Sequence, residues 1–152
     1  MDMEQFDAQK ATRVWQRVQN RETPEPLRKD QVGLIRAVGE QAAYYRNLSR
    51  AMPGKYGERL RDYGRQQQRA AECLKGICRI TGIPLPQGQH KAMPPEPPMR
   101  MLEKCCHGEK GLVAEYTARA ADPEWGRVYT RMATEAAERC CGLLEILGAM
   151  GK

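Results

Sequence analysis

Long apolar runs are missing from this chain. No stretch approaches the roughly 18 consecutive apolar residues of a membrane-spanning helix, so the sequence predicts no transmembrane segment. The first ten residues, MDMEQFDAQK, contain no apolar segment of the kind found in signal peptides. We therefore expect a cytoplasmic protein that does not enter a membrane.

Aromatic residues and blocks of like charge are also scarce. One Phe, two Trp and six Tyr occur among 152 residues, so the core of this single domain must come from Leu, Ala, Ile, Val and Met. The net charge is +6, but the arginines are scattered and form no basic stripe with interleaved aromatic residues. This pattern does not indicate nucleic-acid binding, and the sequence contains no phosphate loop and no Ser or Cys triad.

The spacing of apolar residues predicts an all-α chain. For residues 1–29 the pattern predicts a short amphipathic helix over 7–19, followed by a linker. In the first long helix the apolar stripe repeats at the helical interval and consists of Leu34, Ile35, Val38, Ala42, Tyr45 and Leu48. We predict the four long helices over residues 30–51, 56–81, 99–120 and 125–148.

The second half of the chain repeats the first at an offset of 69 residues. Glu40 then matches Glu109, Tyr56-Gly57 matches Trp125-Gly126, and Leu74 matches Leu143. The repeat predicts two helical hairpins, over 30–81 and 99–152, that form a four-helix bundle over 30–152. We expect the proline-rich connection, residues 82–98, to run the length of the bundle and the third helix to start where the first one starts.

Four segments carry a resemblance to a known family: VGEQAAYYRNL, QQQRAAECLKG, GEKGLVAEYTARAADPEWG and MATEAAERCCGLLEILG. Together they resemble the ferritin-like superfamily, and its rubrerythrin branch in particular, over about residues 30–150. The VWQRV segment is similar to one in small bacterial ferritin-like proteins. The resemblance implies a bacterial protein with a ferritin-like four-helix bundle and a di-iron site, built from one Glu on each hairpin's first helix and a Glu-x-x-His pair on each second helix.

Most of those ligands are missing here. Glu40 and Glu109 match the two first-helix glutamates, whereas the other four ligand positions hold Gln67, Ala70, Ala136 and Arg139. Glu135 and Glu138 lie one residue off register, which rotates them by about 100° from the bundle axis. The resemblance implies an oxidoreductase, but these losses favour a non-catalytic structural or interaction module without a cofactor.

What fills the former site is open at this point. In one hypothesis, the guanidinium of Arg139 replaces the metal charge and pairs with Glu40 and Glu109, with Gln67 adding an amide donor. In the other, Arg139 extends to solvent and the glutamates are hydrated. A third interpretation keeps a metal- or redox-active protein, with iron, manganese or zinc held by Glu40, Glu109 and atypical ligands.

Six cysteines offer another candidate site. With no sign of secretion, we expect reduced thiols buried in helices. The geometry of the second hairpin brings Cys105, Cys106, Cys140 and Cys141 to about the same level, where they could bind Zn²⁺ or Cu(I) or form a disulfide. Adjacent helical residues point about 100° apart, so we expect one cysteine of each pair to face inward. Self-association is a further expectation, and any other protein partner is unspecified.

Overall fold

Four α-helices make up the computed structural model, which describes residues 27–85 and 94–151. They are α1 (Leu27–Ala51), α2 (Gly54–Thr81), α3 (Pro98–Arg119) and α4 (Gly126–Met150), and this part of the chain contains no β-strand. Each helix starts and ends within three residues of its predicted limit. The predicted helix over 7–19 lies outside the described residues. None of the four helices combines the length and apolarity needed to cross a bilayer.

The apolar stripe predicted for α1 forms part of the core. All six of its residues are buried, from Leu34 to Leu48. The other three helices contribute similar stripes, so that the two hairpins, α1/α2 and α3/α4, bury their apolar faces against each other. Burial of these stripes is the main force that holds the hairpins together.

The contacts between helices define the direction of each one. The start of α1 and the end of α2 pack with the end of α3 and the start of α4. The opposite ends of the same helices form a second cluster. Helices α2 and α3 are therefore parallel, and the connection between them joins opposite ends of the bundle.

One expectation about this connection is wrong. Helix α3 starts beside the end of α1, where Met101 and Leu102 share a cluster with Leu48 and Met52, and not beside the start of α1. The reason is geometric: α2 already returns the chain to the start of α1, so a connection that runs the length of the bundle must end at the opposite end.

A polar layer separates the two apolar clusters. Towards the middle of the bundle, one cluster ends with Val38, Ala70, Leu112 and Ala136. The other begins with residues such as Tyr45, Tyr63 and Cys140. Between them, each helix contributes one buried polar side chain to a set that we call the central polar layer: Gln41, Gln67, Glu109 and Arg139.

One glycine in each hairpin allows a tight turn between the two helices. A Cβ atom on Gly57 would lie 2.0 Å from the backbone oxygen of Met52, and one on Gly126 would lie 2.4 Å from that of Ala120. The two glycines match at the offset of 69. The backbone oxygen that each Cβ would meet, however, belongs to a residue five positions before Gly57 but six positions before Gly126. The segment from the end of the first helix to this glycine is one residue longer in the second hairpin, since Gly57 lies six residues after Ala51 and Gly126 lies seven after Arg119. The ends of α1 and α3 are therefore offset by 68 residues.

The close approach at Gly57 leads to a first prediction. Gly57→Ala should lower the free energy of unfolding by about 1–3 kcal/mol, because the added methyl group has no space beside the Met52 oxygen. Gly76→Ala in the same helix is the matched control, since its Cβ would meet nothing within 4 Å. It should raise stability by roughly 0.5–1 kcal/mol. Urea denaturation followed by circular dichroism measures both, and equal effects of the two substitutions would contradict the packing described at the turn.

Candidate functional site

The carboxylate of Glu109 lies at the centre of the polar layer. The Nε atom of Arg139 on α4 donates a hydrogen bond to its Oε2 atom at 2.6 Å. The Glu109 side chain is completely buried, and that of Arg139 is 2% exposed. Two opposite charges thus form an ion pair in the core, where they are poorly screened by water or salt.

Two amides complete the surroundings of this carboxylate. The Nε2 atom of Gln67 on α2 donates a short hydrogen bond to Oε1 of Glu109. The Nε2 atom of Gln41 on α1 donates to the backbone oxygen of Cys105 at 2.9 Å and lies 3.5 Å from the same Oε1 atom. One carboxylate on α3 therefore receives N–H groups from all three other helices.

A glycine makes room for the Gln41 amide. A Cβ atom on Gly108 would lie 2.4 Å from Oε1 and 2.8 Å from Nε2 of Gln41. The absence of a side chain at Gly108 lets the amide lie flat against the backbone of α3. A side chain at position 108 would therefore displace the Gln41 amide from its place beside Glu109.

Arg139 is held from a second direction. Its NH1 atom donates to Oε1 of the half-buried Gln66 at 3.1 Å. The guanidinium thus bridges α3 and α2, and the side chain is buried and does not reach solvent. The hypothesis that Arg139 extends to solvent is wrong.

Burial and charge act on the carboxyl group in opposite directions. Burial raises the pKa of Glu109 above its usual value, while the charge and the hydrogen bond of Arg139 lower it in part. The charge of Glu109 also acts on the nearby Tyr45 hydroxyl. Burial is the largest cause that raises the pKa of Tyr45, and the Glu109 charge is the second. The Tyr45 hydroxyl and Oε1 of Gln67 are both buried, and neither atom has a hydrogen-bond partner among the described residues.

The expectation that Glu40 points into the bundle is wrong. Its side chain is exposed, and the next residue, Gln41, occupies the inward position. The cause is the longer second turn: an offset of 69 pairs Glu109 with Glu40, whereas the actual offset of 68 pairs it with Gln41. One signal for Gln41 was present in the sequence, since it is the polar member of an otherwise apolar stripe between Val38 and Tyr45.

The other positions matched to the di-iron ligands all face inward. Gln67, Ala70, Ala136 and Arg139 are buried beside Glu109 in the layer or directly next to it. Among the other carboxylate and imidazole side chains that could supply a metal ligand, Glu72, Glu138 and His107 are exposed and Glu135 is half-buried, while His90 lies outside the described residues. Across residues 27–85 and 94–151, no three His, Cys, Asp or Glu side chains converge to hold a metal ion.

The four clustered cysteines separate into one close pair and two single thiols. The sulfur atoms of Cys106 and Cys140 are 3.5 Å apart across α3 and α4, and both cysteines are free. Cys105 is buried on the side of Glu109, and burial raises its pKa, whereas Cys141 is exposed. One cysteine of each pair was expected to face inward, which holds for Cys140/Cys141 but not for Cys105/Cys106, because both α1 and α4 cover α3 at this level.

Comparisons with known proteins do not assign the chain to a family. No protein-family model matches the sequence, and no curated protein or solved structure matches it either. The account of the site therefore rests on its own geometry.

The buried ion pair leads to a second prediction. Arg139→Met should lower the free energy of unfolding at pH 7 by about 3–5 kcal/mol, because it leaves the Glu109 carboxylate buried without a counter-charge. The same variant without a charge at position 109, Glu109→Gln with Arg139→Met, should recover much of this loss. Urea denaturation gives both values.

The pH dependence of these variants separates charge from packing. Without Arg139, the largest influence that lowers the pKa of Glu109 is gone and burial raises this pKa further. The folded state then keeps a proton that the unfolded state releases above about pH 4.3. The stability of Arg139→Met therefore falls as pH rises from about 4.3 through the raised pKa of Glu109. When the pH is lowered from about 7 to about 5, this variant should regain more stability than the double variant does. A loss of stability that is the same at both pH values would contradict a charge effect.

Proposed function

We propose that this chain is a ferritin-like bundle of the rubrerythrin type in which an ion pair of the protein takes the place of the di-iron centre. It would work as a non-catalytic structural or interaction module. The observation that carries this proposal is the 2.6 Å contact between Arg139 Nε and Glu109 Oε2. It lies at the level where the matched ligand positions meet, and it gives the layer an internal positive charge.

The helix directions support the ferritin-like part of the proposal. Ferritin-like folds combine two helical hairpins with one long connection that crosses the bundle. Here α2 and α3 are parallel and the connection joins opposite ends of the bundle. The side chains of the central polar layer come from all four helices, as the side chains of a di-iron site do in such bundles.

The residues of the layer do not fit a di-iron centre. Such a centre uses several carboxylates, which neutralise the two ions, and imidazoles, which complete their coordination. The central polar layer instead offers one carboxylate, the amides of Gln41 and Gln67 and the guanidinium of Arg139. The two remaining ligand positions hold only the methyl groups of Ala70 and Ala136. A guanidinium has no lone pair for a metal and repels a cation. No iron, manganese or zinc chemistry is therefore part of this proposal.

Metal retention provides the third prediction. After incubation with Fe²⁺, Mn²⁺ or Zn²⁺ and gel filtration, the wild-type protein should keep well below one ion per chain, as measured by elemental analysis. A variant with Gln67→Glu, Ala70→His and Arg139→His removes the guanidinium and adds three ligands around Glu109, so it should retain more metal. Near-stoichiometric iron or manganese in the wild-type protein would overturn the proposal. Elution volume in the same run reports on the expected self-association.

The close thiol pair supports a second candidate function, as a redox-responsive protein. The sulfur atoms of Cys106 and Cys140 must move from 3.5 Å to about 2.05 Å to form a disulfide. A disulfide of low molecular weight, such as oxidised glutathione, can act as the oxidant. One thiolate attacks it and releases a reduced thiol, and the second thiolate then attacks the mixed disulfide and releases the other.

The rate of this oxidation is the fourth prediction. Burial and the neighbouring Cys106 thiol raise the pKa of Cys140 to about 11, so the thiolate is scarce near neutral pH. Loss of two thiols to oxidised glutathione should keep accelerating from about pH 8 to about pH 10, where an ordinary thiol levels off. This reaction is followed by intact mass, because the internal disulfide removes two hydrogens from the chain, whereas glutathione added to an exposed thiol such as Cys141 raises the mass. Cys106→Ser should abolish it, whereas Cys141→Ser is the matched control and should leave it unchanged; equal loss in both variants would count against the pair.

A further inference from the structure

Four arginines meet at a groove between α1 and α2. Arg46 and Arg50 on α1 and Arg61 and Arg65 on α2 line a cavity of about 370 Å³, and all four residues are exposed. None of the residues that line the groove takes part in the hydrogen bonds of Glu109. The groove is therefore a site separate from the central polar layer.

The concave shape of this groove comes from small residues. Ala42 and Gly64 line it from the two helices, and a Cβ atom on Gly64 would lie 3.3 Å from the Cβ atom of Tyr45. The helices are thus close together here, and no large side chain fills the space between the arginines. Ser49 and Gln68 add polar groups to the lining.

Little within the described structure balances the four positive charges. No Asp or Glu is among the described residues that line the groove. Arg65 and Asp62 are 4.0 Å apart with both side chains more than 60% exposed, and such a pair contributes little. In each helix the two arginines are four residues apart, a spacing at which like charges repel each other. A bound anion would remove this repulsion.

The arginines follow the length of the groove. Gly57 packs against Met52 and Gly64 against Tyr45, which places Arg46 at about the level of Arg61. Arg50 then lies about one turn beyond this level in one direction, and Arg65 about one turn beyond it in the other. The row covers about two helical turns, or roughly 11 Å, so the groove suits an elongated anion with several charges in line.

We propose that this groove binds a condensed phosphate chain, either as free tripolyphosphate or as the phosphate tail of a nucleoside triphosphate. Guanidinium groups bind phosphate oxygens through paired hydrogen bonds, and four of them match a chain of several phosphoryl groups. The described lining contains no aromatic side chain on which a base could stack. This absence favours recognition of phosphate over recognition of single-stranded nucleic acid, which uses such rings.

Isothermal titration calorimetry with the full chain tests the proposal. Tripolyphosphate should bind one site per chain, at least about tenfold more tightly than orthophosphate. Arg46→Ala with Arg61→Ala should weaken binding at least about tenfold. The matched control, Arg100→Ala with Arg127→Ala, removes two exposed arginines of the other hairpin and should change the affinity less than about twofold. Thermal melts test whether both variants remain folded.

The ligand series distinguishes the two sources of the phosphate chain. Similar affinity for ATP and tripolyphosphate shows that the groove accepts the tail of a nucleotide, and much weaker binding of ATP identifies the free chain. Both results support the proposal. Absence of saturable binding of tripolyphosphate would overturn it. An equal loss of affinity in the two double variants would also overturn it, since net charge alone would then explain binding. Tighter binding of a single-stranded oligonucleotide with the same dependence on Arg46 and Arg61 would replace it with a nucleic-acid site.

Discussion

The ion pair between Glu109 and Arg139 constrains the whole bundle. Removing each ion from water costs several kcal/mol, so the pair is tolerated only when its geometry is good and its remaining polar atoms are hydrogen-bonded. Here the amides of Gln41 and Gln67 supply those bonds from two further helices. Apolar layers can slide past one another at modest cost, but a carboxylate with three donors has one arrangement of the four helices that satisfies it.

The same interaction connects the fold with the proposed function. A metal centre at this level would supply positive charge and draw carboxylates from several helices. Arg139 supplies that charge from within the chain and leaves a single carboxylate to neutralise. In this proposal, the ion pair takes over from a metal ion the task of holding the four helices in register. Its surfaces, such as the arginine-lined groove, are then the places where binding is to be sought.

Sequence reasoning located most of the layer but misplaced one member. Helical periodicity placed the stripe from Leu34 to Leu48 correctly, and the family resemblance placed Gln67 and Arg139 at inward positions. Glu40 was misplaced because an internal repeat gives a single offset. The segment from the helix end to the matched glycine differs by one residue between the hairpins, which rotates α1 by about 100° relative to the alignment. The contact between Cys106 and Cys140 also lay beyond periodicity, because it depends on how closely α3 and α4 pack.

For residues 27–85 and 94–151, the sequence by itself determined the four long helices, their limits to within three residues and the apolar stripes that they bury. These features follow from interactions between residues close along the chain. The tertiary structure alone decided which polar groups meet. It brought Gln41, Gln67, Glu109 and Arg139 to one level, and it gathered four scattered arginines into one groove. Such meetings depend on the register between helices, and that register is set by turn length and by glycines such as Gly57 and Gly108 that allow close approach.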